Sequence, residues 1–255
     1  MSLRIDFNSD MGESYGAYTV GDDEVILDHV SSANLACGWH GGDPLTMRKT
    51  VFMAVKKGVS VGGHPSYPDL LGFGRRVMQL SPEEAHNYMV YQLGALMAFC
   101  RAAGTPMQHV KPHGALFNAA QDDPTLAEAL VAGIKEVDPK LIAVALPGSA
   151  VDRAATKIGL KVAREGFADR AYTDEGRLVS RKIPNSVIHD PKRIAERVVQ
   201  MIKGKIVAMS GKTLDVEVQT ICLHSDTPGA GALAREIRRA VEAAGVKVTP
   251  MRELL

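Results

Sequence analysis

Short apolar runs alternate along the whole chain with longer segments in which apolar and polar residues are mixed. The runs have the period-two alternation or the β-branched content of strands, and they lie at 3–8, 30–37, 59–62, 109–113, 141–146, 160–164, 204–207, 216–223 and 246–248. The mixed segments begin at capping residues and end near glycines, and they predict helices at 43–57, 81–103, 124–137, 150–158, 190–203 and 229–244. Residues 165–183, rich in charge and glycine, predict a loop.

This order of elements predicts the fold class. Strand and helix alternate about seven times, and no linker or low-complexity segment divides the chain. Such alternation favours a parallel sheet covered by helices. The even spacing favours a closed or nearly closed (β/α) barrel of about seven strands, with an open doubly wound sheet as the alternative. We therefore predict an α/β fold in which residues 1–255 form a single β/α-barrel domain.

Composition narrows the possible partners and the compartment. The chain has 255 residues, 45% of them hydrophobic, and a formal net charge of +1 without a basic stripe, which argues against nucleic acid as a partner. No window approaches about eighteen consecutive apolar residues, so we expect no membrane segment and a cytoplasmic location. Cys37, Cys100 and Cys222 are far apart and form no CxxC, which argues against a disulfide framework or a thiolate zinc site.

Residues with catalytic or ligand chemistry follow most of the predicted strands. In a β/α barrel the active site is built at the carboxyl ends of the strands. The residues at these ends are, in chain order, Asp10 and Glu13, His40 and Asp43, His64 and Asp69, Lys111 and His113, Glu165 and Asp169, and His224 and Asp226. A single histidine at a strand end is most often a structural residue, whereas several that converge with carboxylates indicate a site.

These residue types are compatible with two kinds of chemistry. One aspartate with two or three histidines suits a divalent metal that polarises a carbonyl and lowers the pKa of bound water towards about 7. Alternatively, aspartate and histidine act as general base and acid, and Lys111 supplies a positive charge for an oxyanion. No HExxH pair decides between them. His109, Lys111 and His113 share one parity on an extended strand, so we expect their side chains on the same side.

The segment 59–76 predicts a functional loop after the third strand. It contains four glycines and carries Tyr67, Asp69, Arg75 and Arg76. Backbone amides in the glycine-rich part, together with the two guanidinium groups, are suited to hold a carboxylate or phosphate. A solvated arginine pair is the alternative interpretation.

Six long motifs are spread over essentially the whole chain. They are DFNSDMGESYG at 6–16, ANLACGWHGGDP at 33–44, VGGHPSYPD at 61–69, VKPHGALFN at 110–118, EGFADRAY at 165–172 and CLHSDTPG at 222–229. With these motifs the chain resembles the lactam-utilization (LamB/YcsF) family. No departure from the family pattern is present at the polar positions of the motifs.

The resemblance implies an activity and a fold. The activity is the ATP-dependent opening of the 5-oxoproline (pyroglutamate) lactam to L-glutamate, carried out with subunits B and C of 5-oxoprolinase. The fold is a barrel similar to the glycoside hydrolase/deacetylase superfamily, in which an aspartate and two histidines hold a divalent metal. By strand-end position, the corresponding metal ligands are Asp10, His40, His64 and His113, although the adjacent Asp-Asp pair of the deacetylase motif is absent here.

Residue roles follow from this resemblance together with the strand-end chemistry. We predict Asp10 as general base, Lys111 as the group that stabilises developing negative charge, and Glu13 as a further catalytic residue. The predicted substrate-binding residues are Asn8, Tyr67, Arg75 and Arg76. Because the chain has no GxxxxGK[ST] loop and no kinase motif set, we expect ATP to be handled mainly by the partner subunits. The alternatives are a stand-alone metal-dependent deacetylase and a non-catalytic lactam-binding subunit.

Overall fold

A computed structural model describes residues 3–180, 182–223 and 230–255. The strands are β1 (Arg4–Met11), β2 (Ser32–Ala36), β3 (Ser60–His64), β4 (Met107–Val110), β5 (Ile142–Ala145), β6 (Lys161–Phe167), β7 (Lys205–Val207), β8 (Thr213–Asp215), β9 (Thr220–Cys222) and β10 (Lys247–Val248). The helices are α1 (Asp23–Ile26), α2 (Pro44–Lys56), α3 (Pro82–Ala102), α4 (Gly114–Asp122), α5 (Pro124–Val137), α6 (Ala150–Lys157), α7 (Pro191–Ile202) and α8 (Ala230–Ala243), and a 3-10 turn follows at Met251–Glu253.

Seven parallel strands close into a barrel. They follow the order β1, β2, β3, β4, β5, β6 and β9, and β9 pairs with β1 to close the ring. The register brings Cys222 of β9 opposite both Asn8 and Phe167. Strand β10 adds to the start of β1, and β7 and β8 form a separate antiparallel hairpin. The predicted closed barrel is confirmed, and the open doubly wound sheet is wrong.

Several element boundaries differ from those predicted. Helix α4 starts directly after His113 and was not predicted, because its glycine-initiated sequence lacks a capping side chain. Strand β6 continues to Phe167, so Glu165 belongs to a strand and not to a loop. The run 216–223 contributes only its end to a strand, β9. His224, Asp226 and Gly229, which the sequence placed at a strand end and a helix start, lie outside the described residues.

The interior of the barrel is polar, whereas its outer surface is apolar. Strand residues alternate between the two sides, so Phe7, Leu35 and Ile221 pack under the helices while their neighbours point inwards. The inward side chains joined by hydrogen bonds or ion pairs are Asp6, Asn8, Asp10, Ser32, Asn34, His109, Lys111, Glu165 and Thr220. Buried polar groups are costly unless they are paired. This network of polar side chains therefore replaces the layers of branched aliphatic side chains that usually fill the interior of a barrel.

No helix in the part of the chain that the structure describes is long and apolar enough to cross a membrane.

Asp6 lies at the amino-terminal end of this interior. Its buried carboxyl group should make the stability of the protein depend on pH. It is fully buried, and it accepts hydrogen bonds from the hydroxyl groups of Ser31 and Ser32 at 2.8 and 2.6 Å. Burial raises the pKa of Asp6 from 3.8 to about 6, although these hydroxyl groups oppose the increase. The folded protein therefore keeps a proton that the unfolded chain releases near pH 3.8. The resulting stabilisation is fully present below that pH and is lost as pH rises through about 6.

We expect the free energy of unfolding of the wild type, relative to Asp6→Asn, to fall by about 2 kcal/mol between about pH 4 and about pH 6.5. Urea unfolding at several pH values measures this difference. Asp28→Asn, at an exposed carboxylate that pairs with Lys57, serves as the control and should leave the pH dependence unchanged. Parallel stability curves for the wild type and Asp6→Asn would contradict the assignment.

Candidate active site

A pocket of about 760 Å³ opens at the carboxyl ends of the barrel strands. Its floor includes Asp10, Glu13 and Lys111, and the start of α4 lines one side. The remaining wall carries four cationic side chains, which are Arg75, Arg170, Arg177 and Lys182. The wall also contains apolar residues and Asp122, which pairs with Arg177 at 2.8 Å. The excess of cationic side chains on this wall suits a small anionic ligand.

Three histidines and one glutamate meet beside the floor of this pocket. Glu13, His40, His64 and His113 are all buried, and their potential ligand atoms lie within 4.8 Å of one another. Oε1 of Glu13 is 3.0 Å from Nε2 of His40 and 3.4 Å from Nδ1 of His113. The rings of His40 and His113 stack with centroids 3.8 Å apart. Four residues from three βα connections and one strand end thus form a compact donor set.

Backbone carbonyl groups determine which nitrogen atoms of two histidines carry hydrogen. Nδ1 of His64 lies 2.7 Å from the carbonyl oxygen of Lys111, and Nε2 of His113 lies 2.8 Å from that of Phe73. A carbonyl oxygen only accepts hydrogen bonds, so both nitrogens must donate. The other nitrogens, Nε2 of His64 and Nδ1 of His113, then present lone pairs to each other at 3.0 Å. Two lone pairs at this distance repel each other unless a cation lies close to both.

The charge and solvation of the cluster support the same interpretation. Burial, followed by neighbouring histidines, lowers the pKa of His40 and of His113 well below the usual range, so both rings are neutral. Nδ1 of His40 is buried and has no hydrogen-bond partner among the described residues. Neutral imidazoles whose second nitrogen donates to a backbone carbonyl are typical metal ligands. The donor set therefore fits a divalent transition metal such as zinc.

The loop between β3 and α3 holds His113 from above. The carboxylate of Asp69 accepts hydrogen bonds from the backbone N–H of Gly72 and from the backbone and guanidinium group of Arg76. Gly74 has a positive φ of 64°, and a Cβ there would lie 2.7 Å from the ring of His113. This close approach keeps the carbonyl of Phe73 against His113.

Lys111 lies between two carboxylates under the pocket. Its Nζ is 3.1 Å from Oδ1 of Asp10, 2.9 Å from Oε1 of Glu165 and 3.1 Å from Sγ of Cys222. Burial alone would lower the pKa of Lys111, but Asp10, Cys222 and Glu165 together raise it well above the usual value. The ammonium group is therefore charged. An ammonium has three N–H groups, and three acceptors are already within reach.

The structure brings most of the predicted site residues together, and it separates others from the pocket. Those that converge are Asp10, Glu13, His40, His64, Lys111 and His113, and Arg75 lines the pocket next to them. Asn8 is buried beneath the floor, Tyr67 is buried outside the pocket lining, and Arg76 pairs with Asp69. Substrate contact by Asn8, Tyr67 and Arg76 stays a prediction. Their positions in the structure do not favour it.

The cluster that could hold a metal differs from the predicted ligand set at its carboxylate. Glu13, predicted as a catalytic residue, is the carboxylate within the histidine cluster. Asp10, predicted as a ligand, instead pairs with Lys111, and its Oδ2 lies 3.4 Å from Nε2 of His64. The reason is the turn after β1, where Gly12 with a φ of 65° directs Glu13 towards His40.

Glu165 was predicted only as a strand-end residue and His109 only by its parity with Lys111 and His113, and no role was predicted for Asn34. All three are fully buried and contact the site from below. The sequence contains a signal that could have identified Asn34 and Glu165. Each is a polar residue within a short strand run, at a position whose side chain points into the barrel, as those of Asn8 and Asp10 do. A polar residue inside a buried strand run indicates a paired interior group.

Comparison with known proteins connects this site to a family. Residues 5–255 match the model of the LamB/YcsF family. The A subunit of 5-oxoprolinase from Pyrococcus furiosus is 53% identical over 254 residues, which cover 99% of this chain and 100% of the relative. The crystal structure of the lactam utilization protein from Thermus thermophilus has a TM-score of 0.93 at 47% identity and covers 97% of this chain and 99% of that one. A family 4 carbohydrate esterase from Streptomyces lividans, with a TM-score of 0.52, 13% identity and coverage of 96% and 91%, shares the fold alone. With a match along nearly its whole length, the chain belongs to the LamB/YcsF family.

Proposed function

We propose that this chain is the lactam-opening subunit of a cytoplasmic, ATP-dependent 5-oxoprolinase. It hydrolyses 5-oxo-L-proline to L-glutamate together with partner subunits B and C. The observation that supports this most directly is the carboxylate of Asp10 beside a buried glutamate–histidine cluster on the floor of a cationic pocket. The relative from Pyrococcus furiosus that is 53% identical to this chain bears the name of the A subunit of 5-oxoprolinase.

Asp10 is the carboxylate best placed to act as general base. Its side chain is 17% exposed, whereas those of Glu13 and Glu165 are 5% and 0% exposed. A general base must reach a water molecule beside the lactam carbonyl, and Asp10 is the most exposed of the three. Glu13 also lines the pocket, but its carboxylate is engaged by His40 and His113. The adjacent ammonium of Lys111 favours the ionised form of Asp10.

Lys111 works mainly through Asp10. Because its three nearest acceptors are internal, we assign its charge to holding Asp10 and Glu165, and not to direct contact with an oxyanion as the sequence suggested. Arg75, which lines the pocket, would meet the carboxylate of the lactam.

Glu13, His40, His64 and His113 would hold a divalent metal. Such an ion would supply Lewis acidity to an oxygen ligand in the pocket. Asp10, Glu13 and Glu165 place three buried or partly buried carboxylates around the site, and the ammonium of Lys111 pairs with two of them. A divalent ion would therefore also help to balance carboxylate charge that is costly to bury.

We expect the purified chain by itself to have negligible ATPase activity. A five-membered lactam is an unactivated amide, and ATP-dependent activation requires a phosphate-binding element that the sequence does not contain. Phosphate release would be measured for the chain alone and with its partner subunits. Robust turnover by the chain alone would contradict the assignment of ATP to the partners, and residues 72–76 would then be tested first.

Glutamate formation from 5-oxoproline and ATP tests the proposed function. The assay compares the chain alone, the partners alone and all three subunits together, and we expect glutamate only from the complete set. Metal-dependent deacetylation of an N-acetylated sugar by the chain alone would instead support a deacetylase. Tight lactam binding combined with full activity of Asp10 and His64 variants would support a non-catalytic binding subunit.

A further inference from the structure

The orientation of the Asp10 carboxylate depends on groups beneath the pocket. Its Oδ1 is 2.7 Å from Nδ2 of Asn34 and 3.1 Å from Nζ of Lys111. Its Oδ2 lies on the side of the histidine cluster, 3.4 Å from Nε2 of His64. Two donors thus hold one oxygen from below, and this leaves the second oxygen directed towards the site.

A series of hydrogen bonds fixes which end of the Asn34 amide meets Asp10. Nε2 of Gln108 lies 3.2 Å from Nδ1 of His109, and an amide nitrogen can only donate. His109 therefore carries its hydrogen on Nε2, which donates to Oδ1 of Asn34 at 2.6 Å. With its oxygen engaged by His109, the amide of Asn34 must turn its nitrogen towards Asp10.

The opposite orientation of the Asn34 amide would be unfavourable at two contacts. Its Nδ2 donates to Oδ1 of Asp10 and also to Oδ1 of Asn8, each at 2.7 Å. A flipped amide would place an oxygen against both acceptors. Asn34 and His109 are fully buried, so water could not compensate for the lost hydrogen bonds.

The backbone of β3 provides the space that this arrangement requires. A Cβ at position 62 would lie 2.2 Å from Nε2 of His109. Only glycine therefore allows the imidazole ring to lie against the strand and reach Asn34. This contact gives a physical role to the first glycine of the Gly62-Gly63 pair.

We propose that Asn34 and His109 are positioning residues for lactam hydrolysis, which orient the carboxylate of Asp10 so that its Oδ2 faces the reacting water. The inference rests on the proposed role of Asp10 as general base. Neither residue touches the substrate, so their loss should change kcat and leave KM nearly unchanged.

Replacement of Asn34 by leucine removes the donor and keeps a similar size. We expect Asn34→Leu to lower kcat of the reconstituted enzyme by about 10- to 100-fold, with KM changed less than about twofold, as is typical when an orienting partner is lost. Asn34→Asp, which replaces the N–H donor by an oxygen, should show the same pattern if the leucine variant folds poorly. A kcat for folded Asn34 variants within about twofold of the wild type would overturn the proposal.

Thr220→Val is the matched control. Thr220 is fully buried in the same interior and bonds to Asp6 and Asn8, but it makes no hydrogen bond to Asp10 among the contacts of the described residues. We expect this variant to lose stability while it keeps its kcat. An equal loss of kcat in Thr220→Val would show that any disturbance of the interior lowers activity, and would overturn a specific positioning role.

A double-mutant cycle tests whether His109 acts through Asn34. His109→Phe keeps an aromatic ring and removes both nitrogens, and we expect it to lower kcat by no more than Asn34→Leu does. The double variant should be no slower than Asn34→Leu alone, because the two residues form one series. If the two losses of kcat multiply in the double variant, His109 acts independently of Asn34. This result would overturn the proposal that His109 acts through Asn34.

Crystal structures of the same variants test the inference without an activity assay. We expect the Asp10 carboxylate to rotate from its wild-type orientation in Asn34→Leu and to keep it in Thr220→Val. If the wild-type subunits form no glutamate, the proposed function fails, but these structures still decide the positioning role. An unchanged Asp10 carboxylate in Asn34→Leu would overturn it.

Discussion

Asp10→Asn is expected to lower glutamate formation by the reconstituted enzyme by about 10²- to 10⁴-fold, the range typical of a lost general base. The asparagine keeps the size of the side chain and an oxygen that can accept from Lys111 and Asn34. It cannot take a proton from water near neutral pH. We therefore expect kcat to fall while the KM for 5-oxoproline changes little, as measured by steady-state glutamate formation.

A matched variant separates this chemical effect from the general loss of a carboxylate. Asp152 is also nearly buried and pairs with Arg164 at 2.8 Å, but it lies outside the pocket lining. Asp152→Asn should lower the free energy of unfolding and leave kcat close to that of the wild type. Near-normal turnover by folded and assembled Asp10→Asn would eliminate the role proposed for Asp10.

His64→Ala is expected to lower the affinity for divalent metal by at least about 100-fold, because loss of an orienting partner alone typically costs about 10- to 100-fold. The wild type, equilibrated with zinc and then dialysed, should retain about one metal ion per chain, held by Glu13 and the three histidines. The metal content of both proteins, measured by mass spectrometry, checks this expectation directly. Lactam hydrolysis by His64→Ala should fall in parallel.

His86→Ala provides the control for nonspecific binding by histidine. His86 is partly exposed on α3 and pairs with Glu136 at 3.0 Å, and it does not belong to the glutamate–histidine cluster. This variant should keep the full metal content. Equal metal retention by His64→Ala and the wild type would rule out the proposed site, and full activity of metal-stripped wild type would rule out its role in the reaction.

Much of the fold and part of the site could be predicted from local features. The alternation of strand and helix signals predicts parallel strands, and all parallel strands present their carboxyl ends on one face. For this reason Asp10, His64 and His113, which are distant in the chain, could be expected to converge. The alternation of His109, Lys111 and His113 is equally local, although β4 ends at Val110 and not at His113 as predicted. His109 and Lys111 contact Asn34 and Asp10, and His113 contacts His64.

The pairing of side chains across the barrel was decided only by the tertiary structure. Whether Glu13 or Asp10 joins the histidines depends on the turn at Gly12, and the partners of Arg76 depend on the closure of its loop around Asp69. The chain by itself determined most of the barrel strands and the chemical groups near their ends, because these follow from residue type and spacing. The three acceptors around Lys111 and the orientation of the Asn34 amide come from different strands, and distances between strands exist only after the barrel has closed.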